Sequence, residues 1–225
     1  MKKGLRMLCF TGDMHGEFAR FSDREVKKLK KTDTLIVCGD FGFLWSSDEK
    51  EKKLLKKIGK RRHKTLFVPG ANENYALLES YPAEDLFGGK ARHIEGNLYC
   101  LMTGQVYEID GKKVLCFAGG EDVDAEIAGK TLQEGQLPDP ELLKESMDRV
   151  LENGGEVDCI VSYEPPFKMA QFINLDRHLD DSFYPCFLDE VSKKVTFSCW
   201  YFGKYHRDKM IPPRYQAVFT KYYFL

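Results

Sequence analysis

Five times along the chain, a short apolar run that favours a β-strand is followed at once by a cluster of glycine and polar residues. The clusters occupy residues 12–16, 39–42, 70–73, 162–166 and 203–206. Because α/β sheets present their ligand sites where strands end, five strand ends that converge would form one site. The pattern therefore predicts an α/β fold with a single crevice at the strand ends.

The spacing of apolar residues predicts a mixture of strands and helices. Strand-type runs cover 5–11, 34–38, 65–68, 98–102, 106–109, 113–118, 159–162, 195–202 and 217–224. Helical spacing covers 23–31, 47–60 and 140–152, the last with Pro140 placed directly after the N-cap residue Asp139. Asp110-Gly111 is a type I′ hairpin signal between two strand-type runs, so the sheets are predicted to be mixed and not purely parallel.

Length and composition favour one globular domain over residues 1–225. The chain has 43% apolar and 31% charged residues and a formal net charge of −1. This charge balance provides no global field for a polyanion, so nucleic acid is not indicated as a partner. The sequence shows no apolar run near 18 residues, no signal peptide and an odd number of cysteines without a C-x-x-C pair. We therefore expect a cytoplasmic location and no membrane span.

Four residues of the polar clusters are candidate metal ligands. Asp13 and His15 are two positions apart, so on an extended strand end their side chains would point the same way. Asp40 adds a carboxylate and His206 adds an imidazole, and this mixed set suits manganese, iron or zinc. A lone Asp-x-His is more often a capped turn, so the metal prediction depends on all the clusters occurring together.

The clusters together resemble a known family. The succession GDMHGEF, CGDFGFLW, PGANENY, SYEPP and WYFGKYH is similar to the five signature blocks of small bacterial and phage calcineurin-like metallophosphoesterases. The blocks span residues 12–206, and AGGEDVD resembles the Gly-Gly segment of these proteins. The resemblance implies a four-layer αββα sandwich with two mixed β-sheets.

The resemblance also assigns ligands and shows where this chain departs from the family. Asp13, His15, His206 and the bridging Asp40 match the first metal site. The other ligands of the second site, an asparagine and two histidines, correspond to Ala71, Tyr163 and Lys204. The catalytic histidine of the third block corresponds to Asn72. We therefore expect one divalent metal (Mn, Fe or Zn) at the first site and an empty second site.

The substituted positions are the candidate catalytic and phosphate-binding residues. Asn72, Tyr163 and Lys204 are the catalytic candidates, and Asn72 and Lys204 are also the phosphate-binding candidates. We hypothesise that the Lys204 ammonium lies beside Asp40 in place of the second ion; the alternative is that Lys204 points to solvent.

Two functions are compatible with these departures. The first is weak or one-metal hydrolysis of phosphate mono- or diesters, because a single ion performs only part of what a metal pair does. The second is a catalytically inactive pseudo-phosphoesterase that binds a phosphorylated small molecule or nucleotide, or acts as a regulatory module.

A third interpretation concerns the aromatic residues between Tyr201 and Phe224, which would form either a partner surface or part of the sheet core. The sequence indicates no oligomeric state, and 119–139 is predicted to be a long loop.

Overall fold

Two β-sheets form the centre of the chain in a computed structural model that describes residues 7–122, 131–173 and 182–225. Within these residues the first sheet contains β1 (Leu8–Gly12), β2 (Thr34–Cys38), β3 (Lys64–Val68), β4 (Ala83–Leu86), β5 (Gly89–Glu95), β6 (Leu98–Leu101) and β13 (Tyr223–Phe224). Its strand order is β13-β1-β2-β3-β6-β5-β4. Strands β1, β2, β3 and β6 are parallel, and the outer strands pair antiparallel.

The second sheet has the same plan, with a parallel centre and antiparallel edges. It contains β7 (Val106–Ile109), β8 (Lys112–Phe117), β9 (Cys159–Ser162), β10 (Cys199–Phe202), β11 (Lys209–Ile211) and β12 (Tyr215–Ala217). The strand order is β11-β12-β10-β9-β8-β7. Strands β8, β9, β10 and β12 are parallel, so the ends of β9 and β10 lie side by side.

Helices cover the outer faces of both sheets. A 3₁₀ turn at Phe18–Ser22, α1 (Arg24–Lys28), α2 (Glu49–Gly59) and α3 (Tyr75–Ser80) lie in the N-terminal half, and α4 (Pro140–Glu152), α5 (Phe167–Ile173) and α6 (Phe183–Lys194) lie in the C-terminal half. Asp139 caps α4 by accepting hydrogen bonds from the backbone of Glu141 and Leu142, as predicted.

Alternation of side chains along the strands divides the apolar residues into three cores. Phe10 of β1 lies in the core between the sheets and stacks on Tyr201 of β10 at 4.1 Å between ring centroids. Cys9, which precedes Phe10 in β1, lies in the core under the helices of the first sheet. Trp200, which precedes Tyr201 in β10, lies in the core under the helices of the second sheet. Three cores between successive layers make a four-layer α/β sandwich of two mixed sheets, which confirms the predicted fold class.

Several elements in the structure differ from those predicted from the sequence. Asp110 and Gly111 form the predicted hairpin with φ of 56° and 77°. The predicted strand 217–224 is wrong as one element, because β12 joins the second sheet whereas β13 joins the first. The strands β4, β5 and β11 and the helices α3, α5 and α6 were not predicted; all of them except α6 have seven residues or fewer, which is too few for a clear periodicity. Part of the predicted loop 119–139 lies outside the described residues.

The C-terminal aromatic residues mainly complete the cores. Tyr201, Phe202 and Tyr215 are buried, whereas Phe224 is exposed. The cysteines are all free, and five of them are buried: Cys9, Cys38, Cys100, Cys116 and Cys159. No helix of the described residues is both long and apolar enough to cross a membrane.

Candidate metal centre

The five polar clusters follow β1, β2, β3, β9 and β10, and the backbone is strained in the three clusters after β1, β2 and β10. Asp13, His15, Asp40, Lys204 and His206 all have positive φ, between 25° and 72°. Residues other than glycine rarely adopt this conformation, which costs free energy and is concentrated at functional sites. The strand-end loops are therefore held in shape by the surrounding fold, as a ligand site requires.

Three of the four predicted metal ligands come together. His15, Asp40 and His206 each offer a ligand atom, and these atoms all lie within 4.8 Å of one another. The Nε2 atoms of His15 and His206 are 2.9 Å apart. Two nitrogen ligands of one ion, each about 2.1 Å from it, are separated by roughly 3.0–3.4 Å, so the two imidazoles are close to the spacing of a shared cation.

Asp13 is not a member of this cluster. Its Oδ1 accepts a hydrogen bond of 3.3 Å from the backbone N–H of Lys204. The loop after β1 turns sharply, and the N–H of His15 donates to the carbonyl of Asp40 at 2.9 Å. The expectation that Asp13 and His15 lie on an extended strand end is therefore wrong, because both residues have positive φ.

The second oxygen of Asp13 is a buried polar atom that a nearby cation would stabilise. Asp13 Oδ2 is buried without a hydrogen-bond partner among the described residues. Burial, followed by the negative charge of Asp40, raises the pKa of Asp13 well above its usual value. A buried carboxylate oxygen in this state is stabilised by a positive charge. The role of Asp13 as a ligand stays a prediction that this observation favours.

Asn72 holds Asp40 in place. The backbone N–H of Asn72 donates to Asp40 Oδ1 at 2.8 Å, and its side-chain amide donates to Oδ2 at 2.9 Å. Asp40 is almost fully buried, so the two hydrogen bonds fix the orientation of a carboxylate that has little contact with water. The catalytic and phosphate-binding roles predicted for Asn72 stay predictions; the contacts show a residue that orients a ligand.

The donor set fits a divalent metal. Partial desolvation lowers the pKa of His15, an effect that Asp40 opposes, and a neutral imidazole is the form that binds metal. Two imidazole nitrogens with one or two carboxylates form a mixed set that suits borderline cations such as manganese, iron and zinc.

A tyrosine ring fills the space next to the cluster. Tyr163 follows β9, is 2% exposed and packs against glycines on three loops. A Cβ added at Gly70 would lie 2.8 Å from the ring, and one added at Gly120 would lie 2.7 Å from it. Gly39 makes a similar close approach to Tyr163. The ring therefore occupies the volume between the loops after β2, β3 and β8.

Lys204 forms a buried ion pair with Glu164. Its Nζ lies 2.6 Å from both carboxylate oxygens of Glu164, and the two side chains are 10% and 3% exposed. The hypothesis that the ammonium lies beside Asp40 is wrong, and so is the alternative that it points to solvent. Burial raises the pKa of Glu164 even though Lys204 opposes the shift, so the carboxylate depends on its cation.

Arg20 and Glu164 were missed by sequence reasoning. Arg20 donates to the carbonyls of Gly12 and Asp13, each at 2.7 Å, and to the carbonyl of Phe219. It thereby joins the end of β1 to the loop after β12. Glu164 lies within the SYEPP cluster, and its position one residue after Tyr163 was the only available signal.

The two-sheet sandwich and the histidine–aspartate cluster at its strand ends define the metallo-dependent phosphatase fold. The chain belongs to the calcineurin-like phosphoesterase family, whose model matches residues 7–207. Membership of this family implies divalent-metal binding.

Solved structures similar to the chain share little sequence with it. Phosphopantetheinyl hydrolase from Mycobacterium tuberculosis is 16% identical, with a TM-score of 0.44, and the match covers 95% of this chain and 89% of that one. A Staphylococcus aureus protein proposed to be a 5′-nucleotidase is 14% identical, with a TM-score of 0.47, and the match covers 95% of this chain and 48% of that one. A protein of unknown function from Aquifex aeolicus is 13% identical, with a TM-score of 0.39, and covers 86% and 88%. No curated protein matches the chain.

Proposed function

We propose that this chain binds one divalent metal through His15, Asp40 and His206, with Asp13 as a fourth ligand, and hydrolyses phosphate esters slowly. The observation that carries the proposal is the cluster of three ligand atoms within 4.8 Å of one another. Family membership supports the reaction class. The substrate class we propose is a phosphorylated small molecule or a nucleotide.

The single-metal part of the proposal rests on what surrounds Asp40. Tyr163 fills the space between three loops, and Lys204 pairs with Glu164. An ammonium paired with a carboxylate has no lone pair to offer a metal, and Ala71 has no side-chain donor atom. The described part of the chain thus offers one mixed nitrogen and oxygen set, and Tyr163 occupies the volume between the neighbouring loops.

Slow turnover follows from the groups that the chain provides. A bound divalent cation would neutralise phosphate oxygens and acidify a water molecule. Asn72 has no proton that titrates in a useful range, and its amide already donates to Asp40. Loss of a general acid typically lowers the rate by ~10²–10⁴-fold, so we expect activity far below that of a two-metal enzyme.

Metal counting and a turnover assay test the proposal together. Protein purified with chelator and then dialysed against Mn²⁺ should contain one ion per chain by mass spectrometry of the metal. Hydrolysis of bis(p-nitrophenyl) phosphate should depend on Mn²⁺ and disappear in Asp40→Asn. Glu190→Gln is a matched control, because the Glu190 side chain is 45% exposed and pairs with nearby lysines of α6. Two ions per chain, or none, would contradict the proposal.

A second candidate function is binding without turnover. It is favoured by the contacts of Asn72 and Lys204, because the Asn72 amide donates to Asp40 and the Lys204 ammonium pairs with Glu164. This candidate would be selected if the protein bound one Mn²⁺ and calorimetry showed phosphate binding. Any turnover measured would also have to be the same in Asp40→Asn as in the parent protein.

A further inference from the structure

Two cysteines lie directly opposite each other on neighbouring strands at the end of the sheet away from the metal centre. Cys159 opens β9 and Cys199 opens β10, and the two residues are paired in the parallel register. Cys159 belongs to the core between the sheets, and Cys199 packs against that core, so both side chains are on the same face. Adjacent strands are about 4.8 Å apart, which falls within the usual Cα separation of a disulfide, about 4.4–6.8 Å.

The two thiols differ in burial and in pKa. The Sγ of Cys159 donates to the carbonyl of Ile160 at 3.5 Å, and the Sγ of Cys199 donates to the carbonyl of Asp158 at 3.8 Å. Interaction with Cys159 lowers the pKa of Cys199, whereas burial raises the pKa of Cys159 well above its ordinary value. Cys199 is therefore the more exposed thiol with the lower pKa, and Cys159 is the buried partner opposite it.

A small oxidant can reach Cys199 first. Cys199 is half-buried, whereas Cys159 is fully buried. A surface cavity of about 250 Å³ is lined by Asp158 and Ser198, which immediately precede the two cysteines in sequence, although neither cysteine lines it. The positive charge of Lys112, which pairs with Asp158 at 3.0 Å, also lowers the pKa of Cys199.

We propose that Cys199 and Cys159 form a reversible disulfide between β9 and β10 when the chain meets a peroxide. The Cys199 sulfur attacks one peroxide oxygen, the O–O bond breaks, and hydroxide leaves to give a sulfenic acid. The Cys159 sulfur then attacks the Cys199 sulfur, the S–S bond forms, and the S–O bond breaks. The two thiol protons and the two hydroxides make two waters, so the cysteines lose two electrons and the peroxide gains them.

The disulfide would cross-link the strands that carry half of the site without touching the metal ligands. A strand rises about 3.3 Å per residue, so the thiols are roughly 10 Å from the far ends of these four-residue strands. Tyr163 and Lys204 follow those far ends. Metal stoichiometry should therefore be the same in the oxidised and reduced forms.

Thiol counting in a Cys186→Ser background tests the proposal, because Cys186 is the other half-buried cysteine. Folded protein is treated with hydrogen peroxide, unfolded in an alkylating reagent, and analysed by peptide mass spectrometry. The free thiols should fall from six to four per chain, with a peptide that joins residues 159 and 199, and dithiothreitol should restore six. Cys199→Ser in the same background should keep all five of its thiols.

The Cys159→Ala variant separates the two steps of the reaction. It should accumulate a sulfenic acid at position 199 that dimedone labels, whereas the parent protein should show little labelling because Cys159 consumes this intermediate. If Cys159→Ala does not fold, the parent protein alone decides. Six thiols after oxidation, a disulfide between two chains, or a linked peptide that involves neither residue 159 nor residue 199 would overturn the proposal.

Discussion

The motif resemblance predicts that Asn72 corresponds to the family's catalytic histidine, yet its contacts are those of a residue that supports a ligand. Its backbone N–H and its side-chain amide each donate a hydrogen bond to Asp40. Groups that orient a metal ligand typically account for about 10- to 100-fold in metal affinity. The function of Asn72 therefore cannot be assigned from its position in the motif alone.

We expect Asn72→Ala to weaken Mn²⁺ binding by about 10- to 100-fold, because the backbone hydrogen bond to Asp40 remains while the side-chain bond is lost. Isothermal titration with Mn²⁺ measures the change. Asn153→Ala is the matched control, since Asn153 donates to a helix carbonyl remote from the site, and its affinity should be unchanged. Equal affinities for the two variants would show that Asn72 does not position Asp40.

His63 provides a pH-dependent contribution to stability. It is buried, its Nε2 has no hydrogen-bond partner among the described residues, and burial lowers its pKa to about 4. In the unfolded chain the pKa is near the ordinary value of about 6.5, so the unfolded state takes up the proton first. The stabilising effect of neutral His63 is therefore complete above pH ~6.5 and is lost as the pH falls toward about 4.

Between pH 7 and pH 4, the free energy of unfolding should fall by up to about 3 kcal/mol more in the parent protein than in His63→Gln. Urea denaturation of metal-free protein at both pH values measures this difference, and other titrating groups cancel in the comparison. Parallel pH profiles for the two proteins would mean that His63 is protonated without unfolding.

At the scale of elements, the Lys204–Glu164 pair joins the loops after β9 and β10. Both charges are buried, and the two strands are adjacent in the sheet. An ion pair of this kind adds little net stability over an apolar pair, but removal of one partner leaves an uncompensated buried charge. The pair thus fixes the relative position of the two loops that follow β9 and β10.

Lys204→Met should therefore destabilise the fold by about 3–5 kcal/mol, whereas the double variant Lys204→Met/Glu164→Gln should recover part of that loss. Denaturant unfolding of the variants measures both values. Lys193→Met is the matched control, because Lys193 forms an exposed ion pair with Glu190 and should cost less than about 1 kcal/mol. A double variant no more stable than Lys204→Met would show that the loss comes from packing and not from the unpaired carboxylate.

At the scale of the whole molecule, the C-terminal segment connects the two sheets. Strand β12 lies between β10 and β11 in the second sheet, and β13 pairs with β1 at the edge of the first. Tyr215 and Ala217 are buried in the core under the helices of the second sheet. The C-terminal segment is therefore part of the fold and not only a surface for a partner.

Truncation after Met210 should give an aggregated chain, because it removes β12 and β13 and exposes the core beside β10. Truncation after Thr220 is the milder control, since it removes only β13, and it should remain monomeric with a lower Tm. Size-exclusion chromatography compares the two. A stable monomer after the longer deletion would favour the partner-surface interpretation of the aromatic residues.

Much of the fold could be predicted from local signals. The strand 34–38 and the helix Pro140–Glu152 have the predicted bounds, because a continuous apolar run and a capped amphipathic pattern are each encoded within a few residues. The split of 217–224 between two sheets could not be predicted, since β-pairing partners are distant in sequence and leave no local trace.

The sequence by itself determined that the polar clusters follow strands, that the chain matches a phosphoesterase family, and that Asp40 and two histidines meet. Each of these follows from residue order and from strand ends that share one edge. Only the tertiary structure decided where the long side chains point. Lys204 pairs with Glu164 and not with Asp40, because a buried ammonium adopts the conformation that brings it to an equally buried carboxylate, and that choice depends on packing between loops far apart in the chain.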